Sequence, residues 1–107
     1  MASKNLNISS LLDLYGGMLT EKQQSFLEYY YNDDLSLSEI AQNEGITRQG
    51  VYDIIKRASD QLINYENKLK LNDRFQQINK QTDDILNGKN PLGCAENIKK
   101  IINFEED

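Results

Sequence analysis

A chain of 107 residues is about one domain's worth with room for one modest hydrophobic core, which leaves no place for a two-domain enzyme. Hydrophobic residues make up 38% of it and charged residues 27%, with one Pro and apolar positions returning at helical intervals, so the expected fold class is all-α rather than disordered. The net charge of −5 taken as a sum opposes nucleic-acid binding, since phosphate neutralisation by Lys and Arg supplies most of that affinity.

Met1 to Ser10 carry one lysine and alternate polar with apolar residues, so the apolar core of a secretory signal is missing. No apolar run approaches the roughly 18 residues of a membrane span. The single cysteine, Cys94, cannot close an internal disulfide. Together these features predict a cytoplasmic protein that does not engage a membrane.

The first helix is expected over Leu6 to Tyr15, where Leu6, Ile8, Leu11, Leu12, Leu14 and Tyr15 make a broad apolar stripe that Gly16-Gly17 stops. Thr20-Glu21-Lys22-Gln23 has the form of a capping box and opens a second helix with Phe26, Leu27, Tyr30 and Tyr31 inward, ending near Asn32-Asp33-Asp34. Ser36-Leu37-Ser38-Glu39 repeats that form and opens a short helix with Leu37, Ile40 and Ala41 inward. Gly45 closes it as a residue able to turn left-handed.

Thr47 caps the fourth helix, in which Val51, Ile55, Ala58, Leu62, Tyr65 and Leu69 alternate by fours and threes as a heptad seam. At Leu71 the phase breaks, and Leu71, Phe75, Ile78, Thr82 and Ile85 begin a new seam, with Asn72 or Asp73 as its expected cap. This predicts two helices or one kinked one. Gly88 ends the second seam, Asn90-Pro91-Leu92-Gly93 reads as a turn, and Ala95 to Phe104 read as a last helix before an acidic tail. Residues 1–107 are expected to form a single helical domain, with residues 20–70 as a helix-turn-helix core with a long recognition helix and residues 71–107 as a C-terminal helical extension.

Leu37 to Lys56, LSEIAQNEGITRQGVYDIIK, meets the demands of two helices crossing through a tight turn. Ala41 is small where the second helix crosses it, Gly45 supplies the positive φ, Ile46 fills the corner, and Ile40, Val51 and Ile54 close the core from both sides. Gly50, inside the second helix, is a departure, costing roughly 1 kcal/mol against alanine.

The charge is unevenly spread. Residues 1–46 hold two basic and seven acidic side chains, residues 47–70 hold five and three, and residues 71–107 hold five and seven. Only the segment carrying the second helix is net positive. Its candidate nucleic-acid-binding residues are Thr47, Arg48, Gln49, Tyr52, Lys56 and Arg57: Arg48 suits guanine or phosphate, Gln49 adenine, Thr47 and the helix N-terminus a phosphate, and Lys56 and Arg57 the backbone. Asp53 on the same face opposes phosphate.

The residues for catalysis are missing. With no histidine the chain lacks the usual general base near neutral pH and any imidazole metal site. Asp33-Asp34 and Asp83-Asp84 are neighbours that point apart on a helix, Cys94 has no histidine partner, and Gly16-Gly17 is not a phosphate loop. The chain is therefore expected not to be an enzyme and to need no cofactor or metal.

LTEKQQSFLEYYYNDDLSLSEIAQNEGITRQGVYDIIKRA resembles region 4 of sigma factors, in which a helix precedes the helix-turn-helix in the same way. The run SLSEIAQNEGITRQGVYDIIKRASDQL, the cluster Tyr29-Tyr30-Tyr31 before it and the total length resemble the YlxM family of small bacterial proteins, from about Leu11 to Ile102. That resemblance implies a cytoplasmic protein of Gram-positive bacteria, encoded beside the signal recognition particle genes and acting in that pathway as a regulator. It leaves three targets open: DNA, the particle's RNA, or its protein components.

A protein–protein interaction module that binds the particle's GTPase without touching nucleic acid is the rival reading, motivated by the acidic balance and by two offset seams that exceed the needs of one small core. Because the seam from Val51 to Leu69 runs beyond the helix-turn-helix, a homodimer is also expected.

Overall fold

The computed structural model describes residues 6–105, with side chains from Ile8 onward. Met1 to Asn5, the side chain of Leu6 in the first stripe, and Glu106 and Asp107 of the acidic tail lie outside the described residues. Those that are described form six α-helices and no strand, so the all-α fold class holds.

The chain divides into two compact units, Met1–Leu69 and Lys70–Asp107. The first holds α1 (Leu6–Tyr15), α2 (Glu21–Leu27), α3 (Leu37–Glu44) and α4 (Arg48–Leu69). A short 3-10 turn, Gly16–Met18, follows α1, and α2 widens at its C-terminal end into one π-helical turn, Glu28–Asn32. Both capping boxes form: the Thr20 hydroxyl accepts from the Gln23 amide at 3.1 Å while the Gln23 side chain accepts from the Thr20 amide, and Ser36 and Glu39 do the same.

α1, α2 and α3 all pack on α4. Leu27, Ile40, Val51, Ile55, Ala58 and Leu62 are fully enclosed, and Ile8, Tyr15 and Phe26 nearly so. The seam of α4 therefore serves this intramolecular core over its first four positions. Tyr65 is half-buried with its ring centroid 6.0 Å from that of Tyr15, and Leu69 is exposed. The Tyr15 hydroxyl donates to Glu66 at 2.7 Å, which lets a buried aromatic ring keep its polar end satisfied. In the tyrosine cluster Tyr30 is buried, Tyr31 is half-buried, and their rings meet edge to face at 5.0 Å.

The second unit is a pair of helices, α5 (Leu71–Leu86) and α6 (Pro91–Ile102), packed on each other. Two boundaries differ from the expected ones. The break before α5 is Lys70 itself, left-handed at φ 56°, and neither Asn72 nor Asp73 is the N-cap. α6 starts four residues earlier than expected, because Pro91 takes the first helical position, where its missing N–H costs nothing, and the Asn90 side chain accepts from the Gly93 amide at 3.2 Å. Cys94 is the one buried side chain among the described residues of this unit. Arg74 lies 3.8 Å above the Phe104 ring and donates to the Ile101 carbonyl at 3.3 Å. No helix among the described residues is long and apolar enough to cross a membrane.

Candidate nucleic-acid interface

The turn between α3 and α4 is built as its residues require. Gly45 sits at φ 69° with its amide bonded to the Ala41 carbonyl, and the Ile46 amide reaches the same carbonyl at 3.1 Å. Ile40 and Val51 are fully enclosed, Ala41 is buried, and Ile46 and Ile54 are half-buried at the corner and flank.

Thr47 then caps α4, its hydroxyl accepting from the Gly50 amide at 3.0 Å. The same bond forms at Gln23 and Glu39, so the cap by itself does not require a glycine. A Cβ on Gly50 would stand 3.2 Å from the Thr47 hydroxyl, a tight approach, and 3.7 Å from Ile46 Cδ1, an ordinary contact. The amides of Arg48 and Gln49, in the first turn, are among those that an α-helix leaves without an intrahelical partner, and they carry the positive end of its dipole.

By helical spacing Gln49, Lys56 and Arg57 lie opposite the enclosed seam of α4, and Thr47, Arg48 and Tyr52 flank it. Thr47, Arg48, Gln49, Lys56 and Arg57 are exposed, and Tyr52 is half-buried at the edge of the seam. Arg48, Tyr52 and Lys56 succeed one another at four-residue spacing and form one row; Gln49, Asp53 and Arg57 form the next. Two acidic side chains moderate these rows. Gln49 donates to Asp53 at 2.9 Å, and Lys56 pairs with Asp60 at 3.3 Å, both partners more than half exposed. An exposed pair of this kind is worth little in water and exchanges readily for a stronger anion. Among the described residues Arg48 and Arg57 meet no carboxylate.

Two open grooves extend the face. One, about 480 Å³, runs along α4 past Asp53, Lys56, Arg57, Asp60, Gln61 and Asn64. The other, about 210 Å³, lies between α4 and the first turn of α2 and brings Lys22 to the same groove as Arg57 and Ile54. Sequence reasoning passed over Lys22 because only tertiary packing joins it to α4. Its one local signal is its place in the first turn after the Thr20 cap. Among the described residues no cluster of three His, Cys, Asp or Glu side chains is placed to hold a metal ion.

The fold and this exposed helix place the chain in the class of helix-turn-helix proteins. Residues 2–102 match the family described as "Putative helix-turn-helix protein, YlxM / p13 like", and the chain belongs to that family. It is similar to the UPF0122 protein of Desulforamulus reducens, 43% identical over 110 residues covering 94% of each chain. It is also similar to a UPF0122 protein of Clostridium perfringens, 48% identical over 98 residues that cover 89% of this chain and 86% of the relative. A UPF0122 protein of Limosilactobacillus reuteri is 51% identical over 82 residues, 77% and 73% of the two chains. The family's description is that of a helix-turn-helix protein and names no reaction.

Proposed function

We propose that the protein is a cytoplasmic nucleic-acid-binding regulator that acts by binding, without catalysis, and reads its target with the first three turns of α4 in the manner of sigma factor region 4. The observation that carries this reading is the capped, exposed N-terminal half of α4, where Arg48, Lys56 and Arg57 outnumber Asp53 and Asp60 and stand beside Thr47, Gln49 and Tyr52. The small cationic surplus suits a target held by a few phosphate contacts, with Gln49 and Arg48 supplying base-edge chemistry. The resemblance to YlxM proteins directs the reading toward the signal recognition particle and its RNA.

Fluorescence anisotropy with labelled signal recognition particle RNA, and a DNA duplex of unrelated sequence as control, tests it. The expected result is preferential RNA binding that weakens steeply with added salt, with a slope of about 0.9 or less per phosphate contact. Arg48→Ala with Lys56→Ala should abolish binding while far-UV circular dichroism stays unchanged. Retained binding would reject this site.

The second reading, contact with the particle's GTPase or with a second copy of the chain, draws its support from the other unit. Phe75, Leu86 and Leu92 are exposed on α5 and α6, as are Ile102 and Phe104 at the end of the chain. The first four positions of the α4 seam that suggested a homodimer are enclosed against α1, α2 and α3, which leaves the exposed Leu69 and these residues for a dimer. Sedimentation of the intact chain at micromolar concentration distinguishes a dimer from a monomer. Salt-insensitive capture of the GTPase alone would favour the interaction module.

A further inference from the structure

On the edge of α4 nearest α1, a cavity of about 200 Å³ is lined by Ile8, Tyr31, Tyr52, Ser59 and Ile63, with the exposed Lys56–Asp60 pair beside it. Every other buried residue of α4 is apolar, but Ser59, only 7% exposed, borders this cavity, and its enclosed hydroxyl oxygen meets no hydrogen-bond partner among the described residues. Such an orphan is unfavourable in a folded core and calls for a reason. Its χ1 turns among staggered wells, so an occupant with a donor or acceptor can recruit it.

The walls indicate the occupant. Two tyrosines and two isoleucines give the cavity an aromatic and apolar lining beside the polar Ser59, Lys56 and Asp60, which suits an apolar ring with a polar edge, and the volume lies below the roughly 300–1,000 Å³ of pockets that enclose whole small molecules. One ring system fits, with the rest of its molecule outside. Outside stands positive charge: Arg48 and Lys56 lie one helical turn to either side of Tyr52 on the same row.

We propose that this cavity accepts one unpaired nucleobase from a nucleic acid bound along α4. The base lies against Tyr52 and Tyr31, the Ser59 hydroxyl bonds to its edge, and Lys56 leaves Asp60 for the adjoining phosphate. The released Asp60 carboxylate accepts from an exocyclic amino group, which favours adenine, cytosine and guanine over uracil and thymine. This inference rests on the nucleic-acid reading and adds to it that the target has a base out of its stack, in RNA or DNA alike.

The test compares a labelled RNA hairpin carrying a single bulged adenosine with the same hairpin fully paired, with a bulged-uridine version, and with the DNA counterparts, all titrated by anisotropy with the intact chain. The bulged adenosine should bind about tenfold tighter than the paired hairpin, the scale of one stacked base. Ser59→Ala and Ile63→Gln should each reduce that preference several-fold and leave the affinity for the paired hairpin as it was, and circular dichroism verifies that both variants fold. Arg48→Ala should weaken both hairpins together. Equal binding of bulged and paired hairpins, or a preference that survives both cavity variants, would overturn the base slot while the nucleic-acid reading stands. A bulged uridine bound as tightly as adenosine would overturn the role given to Asp60. Failure to bind any of these hairpins would overturn the base slot, and if the signal recognition particle RNA also fails to bind, the nucleic-acid reading falls with it.

Discussion

α4 and α5 carry apolar residues in the same alternation of fours and threes, yet their side chains end in different surroundings. Val51, Ile55, Ala58 and Leu62 of α4 have no exposed surface. In α5, Leu71, Ile78, Thr82 and Ile85 are half-buried and Phe75 is 49% exposed. The cause is the number of partners: three helices lie on α4, whereas α5 packs with α6. A periodic stripe shows which face of a helix seeks cover, and the rest of the chain decides how much cover it receives.

The largest expected effect separates the two units directly. Leu62→Ala should cost about 2–5 kcal/mol, as for a fully buried leucine, and Ile78→Ala only roughly 1 kcal/mol, both read from urea denaturation followed by circular dichroism. Equal losses would mean that the second unit is as well packed as the first, and the contrast would fail. Ser59→Ala, inside the first unit, should act in the opposite direction. Removing a buried hydroxyl that lacks a partner should raise stability by roughly 1–2 kcal/mol, and a loss of that size would show that the hydroxyl is satisfied in solution. The smallest effects should be alike in both units. Ser36→Ala and Asn90→Ala each remove one capping side chain and should cost about 1 kcal/mol of the stability of their own unit, because a cap is a local device indifferent to core size. Amide hydrogen exchange, which follows each unit separately, checks this.

Features set by neighbouring residues were legible in the sequence. Thr20 with Gln23, Ser36 with Glu39, Gly45 and Thr47 all act as the residue types at their spacing demand, because capping and left-handed turns are decided within a few residues. The exposure of Thr47, Arg48, Gln49, Lys56 and Arg57 followed for the same reason once the buried seam of α4 was placed. Features made by packing were not legible. The approach of Lys22 to the groove beside Arg57 and the enclosed hydroxyl of Ser59 depend on what another segment brings alongside, and neither the π-helical turn at Glu28–Asn32 nor the left-handed Lys70 has a signal in its residue types. Asn90-Pro91 lies between the two cases. The pair serves a turn or a helix start equally well by local rules, and the packing of α6 on α5 sets it at a helix start.

Cys94 gives the second unit a clock of its own. It is the chain's sole thiol and lies buried in α6, while among the described residues those with no exposed surface all belong to the other unit. A disulfide reagent can therefore modify the protein at one place only, and the rate at which it does so reports how often the thiol in α6 is uncovered.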